Sequence, residues 1–149
     1  MDIRIVEAIP HQAHELTQIA IKAKSHWGYT PEQMALWIPE FLTISPDYIT
    51  NQHVWVALSD NGDVAGFAAI EEHDDGAILE HLWMLPDYMG QGIGKRLFLH
   101  AASIFPEFTF TSDPHADEFY KHMGAVKIGE YESMLQGRML THFKYVAKS

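Results

Sequence analysis

The chain contains no cysteine. Disulfides, thiolate metal sites and a cysteine nucleophile are therefore excluded, an absence that agrees with a reducing, cytoplasmic setting. Positive charge is also scarce: 10 Lys+Arg stand against 20 Asp+Glu, a formal net charge of −10 with neutral histidines. Such a chain lacks the basic footprint that nucleic acid requires. Its field favours a small amine or a basic peptide over a polyanion or an acidic membrane surface. Long apolar runs are missing too. No segment approaches the ~20 apolar residues of a membrane span, and the opening MDIRIVEAIP is interrupted by Asp2, Arg4 and Glu7, so no targeting segment is expected.

What is present is a sequence that folds. At 149 residues, 47% hydrophobic and 12% aromatic, the chain is sized for one domain over residues 1–149, burying roughly 68–70% of its unfolded surface. Ile3, Val6 and Ile9 form a β-type opening, after which Ala13, Leu16, Ala20, Ala23 and Trp27 recur at helical steps. Gly28 stops this helix. Thr30-Pro31-Glu32-Gln33 starts a second one, with Thr30 as N-cap and Gln33 closing a capping box, and it runs to Leu42. Ser45-Pro46-Asp47 reads as a turn. A meander follows: His53 to Leu58, the Asn61-Gly62 turn, Val64 to Ile70, the turn Asp74-Asp75-Gly76, and Ala77 to Leu85. Beyond Pro86 come a glycine-rich loop, a helix from Gly94 to Phe105, a short strand from Phe108 to Thr111, and a helix from Pro114 to His122. Val126 to Tyr131 and Thr141 to Val146 complete the chain as two strands. Hairpins followed by strand–helix–strand units imply an α/β or α+β fold. Its mixed, mostly antiparallel sheet has about seven strands, with helices on both faces.

The loop Tyr88-Met89-Gly90-Gln91-Gly92-Ile93-Gly94-Lys95 joins a strand to a helix. Three alternate glycines let the backbone approach a ligand, and the helix start adds unpaired N–H groups and a positive dipole end. This is the pattern of a phosphate cradle, and it binds an anion without needing side-chain cations. A Walker loop is rejected because three residues, not four, separate Gly90 from Gly94, and Lys95 precedes Arg96. A dinucleotide fingerprint is rejected because Lys95 stands where its third glycine belongs and the preceding strand is part of a meander.

The stretch LEHLWMLPDYMGQGIGKRLF resembles the acetyl-CoA-binding motif of the GCN5-related N-acetyltransferase (GNAT) family, Q/R-x-x-G-x-G/A. Gly92 and Gly94 match its glycines, while Met89 departs from the Gln or Arg at the first position. SDPHADEFYKHMGA is similar to a second family segment through Ala116, Phe119, Tyr120 and Gly124, with Asp113 in place of the usual Asn. The resemblance covers nearly the whole chain and implies a GNAT-like fold. It also implies direct acetyl transfer from acetyl-CoA, as co-substrate, to an amine of a small molecule, an amino acid derivative or a peptide N-terminus, with no metal. A catalytically weak acyl-CoA-binding sensor or regulatory module is the alternative. Met84, Leu85, Met89, Gly90, Gln91, Gly92, Ile93, Gly94, Lys95, Asp113 and Tyr120 are the expected cofactor contacts, Met84 and Leu85 through backbone groups beside the pantetheine arm.

A phenol with a pKa of about 10 is protonated at neutral pH, which makes Tyr120 the expected proton donor to the departing thiolate; packing under the sheet is its other reading. Glu80, read as sharing a strand face with Ile78, Leu82 and Met84, is the candidate general base, or else a counter-ion for a cationic acceptor. His81, with Leu79 and Trp83 on the other face, is an alternative base or a packed imidazole. Asp113 before Pro114 reads as a helix cap with cofactor contact left open. Trp27, Tyr29 and Trp37 cluster at the break between the first helices, where Trp27 and Tyr29 join Glu80 as expected acceptor contacts. Arg138 is either a ligand for an acidic group on the acceptor or a surface residue. Ten histidines include the pair His11 and His14 at helical spacing, but no third ligand is evident, so no metal site is expected. Exposed strand edges leave a homodimer open.

Overall fold

The computed structural model describes residues 2–133 and 137–148. Strands β1 (Arg4–Glu7), β2 (His53–Leu58), β3 (Val64–His73) and β4 (Gly76–Met84) form an antiparallel meander. The chain then crosses through α4 (Ile93–Ile104) to β5 (Glu107–Ser112), parallel to β4. After α5 (Asp117–His122) come β6 (Val126–Glu132) and β7 (Met139–Val146), and β7 inserts between β5 and β6. The seven-stranded order is β1-β2-β3-β4-β5-β7-β6.

One sheet face carries α1 (Ala13–Ser25), α2 (Pro31–Trp37) and α3 (Pro46–Asn51), whose Leu16, Ile19, Trp37 and Ile49 pack on Val56 and Phe67. The other carries α4 and α5, whose Leu97, Phe98 and Tyr120 pack on Phe108, Phe110 and Phe143. The expected capping box is formed: Gln33 N–H donates to Thr30 Oγ1 at 3.1 Å, and Thr30 N–H donates to Gln33 Oε1 at 2.9 Å. Pro39 removes a backbone donor just past α2, and the chain passes through a wider π turn at Ile38–Leu42. The segment read as a turn at Ser45-Pro46-Asp47 instead begins α3, because Ser45 Oγ accepts from Tyr48 N–H at 3.0 Å with Pro46 at the first helical position.

Two irregularities place the site. Strands β4 and β5 share a single paired position, Ile78 with Thr109, so their later residues diverge around a cleft. In the β3–β4 ladder, Ala69 pairs with His81 and Ile70 with Leu79, which leaves Glu80 as the extra residue of a bulge. The bulge overturns the regular alternation expected for this strand. Leu79 packs with Leu82 and Met84 on the α4 face, whereas Trp83 lies on the α1 face, so Leu79 and Trp83 do not share a side. Among the described residues no helix is long and apolar enough to cross a membrane.

Candidate active site

The cleft between β4 and β5 is a cavity of about 500 Å³ that reaches from the glycine loop to Glu80 and Tyr120. Gly90 and Gly92 both have φ of +80°, a conformation that side-chain-bearing residues resist, and a Cβ at either would meet nothing within 4 Å. Gly92 is the N-cap of α4. Arg96 N–H closes the first helical bond onto Gly92 C=O at 3.2 Å, while the N–H groups of residues 90–95 donate to no described residue. Six successive amides without a partner among the described residues, at the positive end of a 12-residue helix, are the donor set that an anion cradle requires. An acyl-CoA pyrophosphate fits this donor set without any cluster of lysines or arginines.

Of the residues expected to contact the cofactor, Met84, Met89, Gly90, Gly92, Ile93, Gly94 and Lys95 line the cavity. Ile93 buries its side chain and offers only backbone. Gln91 is not on the wall; its side-chain amide donates to Asp87 C=O at 3.3 Å, and the contribution left to it is its own N–H. Leu85 turns toward the α1 face, and its N–H donates to Ala65 C=O at 2.9 Å, so that donor is already engaged.

Tyr120 is buried among Phe98, Phe110 and Phe143, yet it reaches the cavity, and its hydroxyl has no hydrogen-bond partner among the described residues. Burial first, and the negative charge of Asp113 second, push its phenol well above the ordinary range, so it stays protonated. Glu80 stands at the cavity mouth on its bulge. Desolvation in the groove raises its carboxyl pKa, the Glu71 charge adds to the effect, and His73 opposes it. Glu71 itself is held by Tyr48 OH at 2.8 Å. His81 is a packed imidazole: Trp83 Nε1–H donates to its Nδ1 at 3.0 Å, Tyr48 lies edge-on, and burial lowers its pKa to about 4.

Asp113 does cap the turn at Pro114–Ala116, since its Oδ1 accepts from His115 N–H at 3.0 Å. It also does something the sequence does not announce. Its Oδ2 accepts from Lys24 Nζ at 3.0 Å, Tyr29 OH at 2.9 Å and Arg138 Nη2 at 2.9 Å. Arg138 Nη2 further donates to Tyr29 OH at 2.6 Å. The Lys24 ammonium lies 4.2 Å from the Trp37 ring centre and 5.0 Å from that of Tyr29. Tyr29 is thus behind the wall rather than on it, whereas Trp27 stacks on His115 at 5.0 Å and both line the cavity. Lys24 is the residue that sequence reasoning missed. Its only signal is a cation on the buried side of α1, next to Ala23.

The model described as the acetyltransferase (GNAT) domain matches residues 50–124, which hold β2 to α5 and with them the cradle and most of the cleft. A peptidyl-lysine N-acetyltransferase, YjaB of Salmonella typhimurium, is 34% identical over 90 residues, which cover 58% of this chain and 59% of that protein. The match therefore spans less than two thirds of this curated relative. The solution structure of apo YjaB from Escherichia coli is 24% identical with a TM-score of 0.74, covering 99% of this chain and 100% of that one. The PaiA N-acetyltransferase of Thermoplasma acidophilum, solved in complex with coenzyme A, is 19% identical with a TM-score of 0.74, covering 98% and 99% of the two chains. Both share the fold described above. With half of its length matched to the family's own model and its glycine cradle inside that half, the chain belongs to the GNAT acetyltransferase family.

Proposed function

We propose that the protein transfers an acetyl group from acetyl-CoA directly to a primary amine, of a small molecule, an amino acid derivative or a peptide. The observation that carries this reading is the row of free amides at residues 90–95, opening into a cleft that contains both Glu80 and Tyr120. The name of the Salmonella relative brings a peptide lysine side chain into the acceptor class.

When bound, acetyl-CoA supplies a thioester whose acetyl carbon is the electrophile. The amides of residues 90–95 hold the pyrophosphate, and the divergence of β4 from β5 leaves a channel lined by Met84 and Ala116 for the pantetheine arm. Glu80, its basicity raised by desolvation and by Glu71, takes the proton from the acceptor ammonium so that the amine nitrogen is free to attack. The nitrogen–carbon bond forms, the nitrogen gives up its second proton to solvent as the amide is completed, and the carbon–sulfur bond breaks with its electron pair leaving on sulfur as a thiolate. Tyr120 donates a hydrogen bond to that sulfur. Because its phenol is harder to ionise than a thiol with a pKa near 8.5, the residue stabilises developing charge rather than ending as a phenolate, and solvent completes the protonation.

Acceptor-dependent release of free thiol across a panel of amines tests the proposal. Turnover is expected, with Tyr120→Phe slowing release by on the order of 10²–10⁴ while acetyl-CoA affinity is retained. Acetyl-CoA binding without release on any amine would instead support a binding module.

A further inference from the structure

The Asp113 cluster holds two cations around one carboxylate. Lys24, Asp113 and Arg138 are nearly buried, with side chains 10, 13 and 16% exposed, and neither cation pairs with a second acid among the described residues. His115 adds its ring Nδ1 at 2.8 Å from Asp113 Oδ1. A chain of net charge −10 therefore concentrates an excess positive charge at one nearly dry point. Unbalanced charge at such a site is costly unless something else neutralises it.

The cofactor is an unsuitable counter-charge, because its phosphates already have the cradle at residues 90–95. Asp113, with both oxygens accepting from its own chain, has no donor to offer a ligand. Arg138 does. Its contacts to Asp113 and Tyr29 both use Nη2, so the remaining guanidinium N–H groups have no partner among the described residues. The guanidinium carbon lies 5.2 Å from the Tyr29 ring centre and 5.3 Å from that of Trp37. A planar fork of this kind matches a carboxylate. Asp113 and His115 line the same cavity as Glu80; Lys24 and Arg138 are not on its wall but stand 3.0 and 2.9 Å from Asp113 Oδ2, so cations suited to an anion lie one residue behind the wall of a cavity that holds an acid suited to the amine.

We infer that the acceptor carries a carboxylate as well as its amine, and that Arg138, supported by Lys24, is the residue that selects it. The inference rests on the acetyl-transfer reading and names its substrate class. The carboxylate belongs either to a free amino acid or to an acidic residue next to a peptide lysine, and both present the same group to Arg138.

Two matched pairs test this by thiol release: 6-aminohexanoate against its amide, and a lysine hexapeptide with a neighbouring Glu against its Gln twin. In the wild-type protein, kcat/KM is expected to favour the acid of at least one pair by about tenfold or more, mainly through KM, and the favoured pair identifies the source. Arg138→Gln should bring that ratio close to one, Arg138→Lys should keep part of it, and Lys24→Met should lower it. Calorimetric titration with coenzyme A checks that each variant folds. Ratios near one for both wild-type pairs, with the neutral acceptors still acetylated, would overturn the inference and leave acetyl transfer standing. A preference that survives Arg138→Gln would overturn the role of Arg138. No release from any acceptor would overturn both readings.

Discussion

Replacing Asp113 by Asn, the residue that the GNAT resemblance leads one to expect there, should be damaging in this chain. The amide keeps the shape and removes the charge. Lys24 Nζ and Arg138 Nη2, at 3.0 and 2.9 Å from Asp113 Oδ2, would then face each other across a neutral group in a region where at most 16% of any of the three side chains is exposed. Breaking a buried ion pair by removing one partner costs about 3–5 kcal/mol, and the residual exposure here places the expectation near the lower figure. For a chain of this size, about 3 kcal/mol corresponds to a fall of roughly 6–12 °C in Tm. Thermal and urea unfolding followed by circular dichroism measure it. Asp113→Asn combined with Lys24→Met should regain at least half of the loss, because the double variant no longer buries an unpaired ammonium. The pH dependence has a definite sign. Burial alone would raise the Asp113 pKa, but the His115 N–H and the Lys24 charge overcome it and hold the carboxyl well below the usual range. Its contribution is therefore fully present above an ordinary Asp pKa of about 3.9 and is lost as pH falls below that value. The variant should lack this acid-side component. A Tm within about 3 °C of wild type, unaffected by Lys24→Met, would show that the cluster does not hold these segments together.

Other perturbations separate the proposed cradle, the proposed base and the scaffold. Gly92→Val forces a branched side chain into φ of +80° and into open space at the cradle, and should weaken acetyl-CoA binding at least about tenfold by titration. Glu80→Gln should lower turnover by on the order of 10²–10⁴. In the wild type, the rate should rise with pH through a value above an ordinary Glu, and the variant should lose that limb. Gly66→Ala would bring a Cβ to 2.5 Å from the Trp83 carbonyl and against Met84 Sδ. Urea unfolding should show a loss of roughly 1–3 kcal/mol, with the cleft wall disturbed.

The parts of the fold that are legible in the sequence are those written locally. Thr30 and Gln33 form their box within four residues, and the glycines of residues 90–94 mark the turn into α4. Ser45-Pro46-Asp47 is a local signal with two meanings, turn or helix start, and tertiary packing of Ile49 selects the helix. The bulge at Glu80 leaves no trace, because LEHLWM alternates as well in a regular strand as in a bulged one. The Asp113 cluster is invisible for a different reason. Its partners Lys24 and Tyr29 lie 89 and 84 residues away in sequence, and only the closed sheet with its covering helices brings them to one oxygen. The proposed cofactor side of the candidate site is thus written mainly in one loop, whereas the proposed acceptor side draws on α1, the α1–α2 connection, β4, the turn before α5 and Arg138 ahead of β7.

Acetyl transfer as proposed requires that free backbone amides, in a protein with few cations, bind the phosphates of acetyl-CoA. Calorimetric titration of the wild-type protein with acetyl-CoA tests it most directly. Saturable binding in the micromolar range, weakened by Gly92→Val and retained by Tyr120→Phe, is the predicted result. An absence of binding heat at millimolar acetyl-CoA, or an affinity that Gly92→Val leaves unchanged, would contradict it.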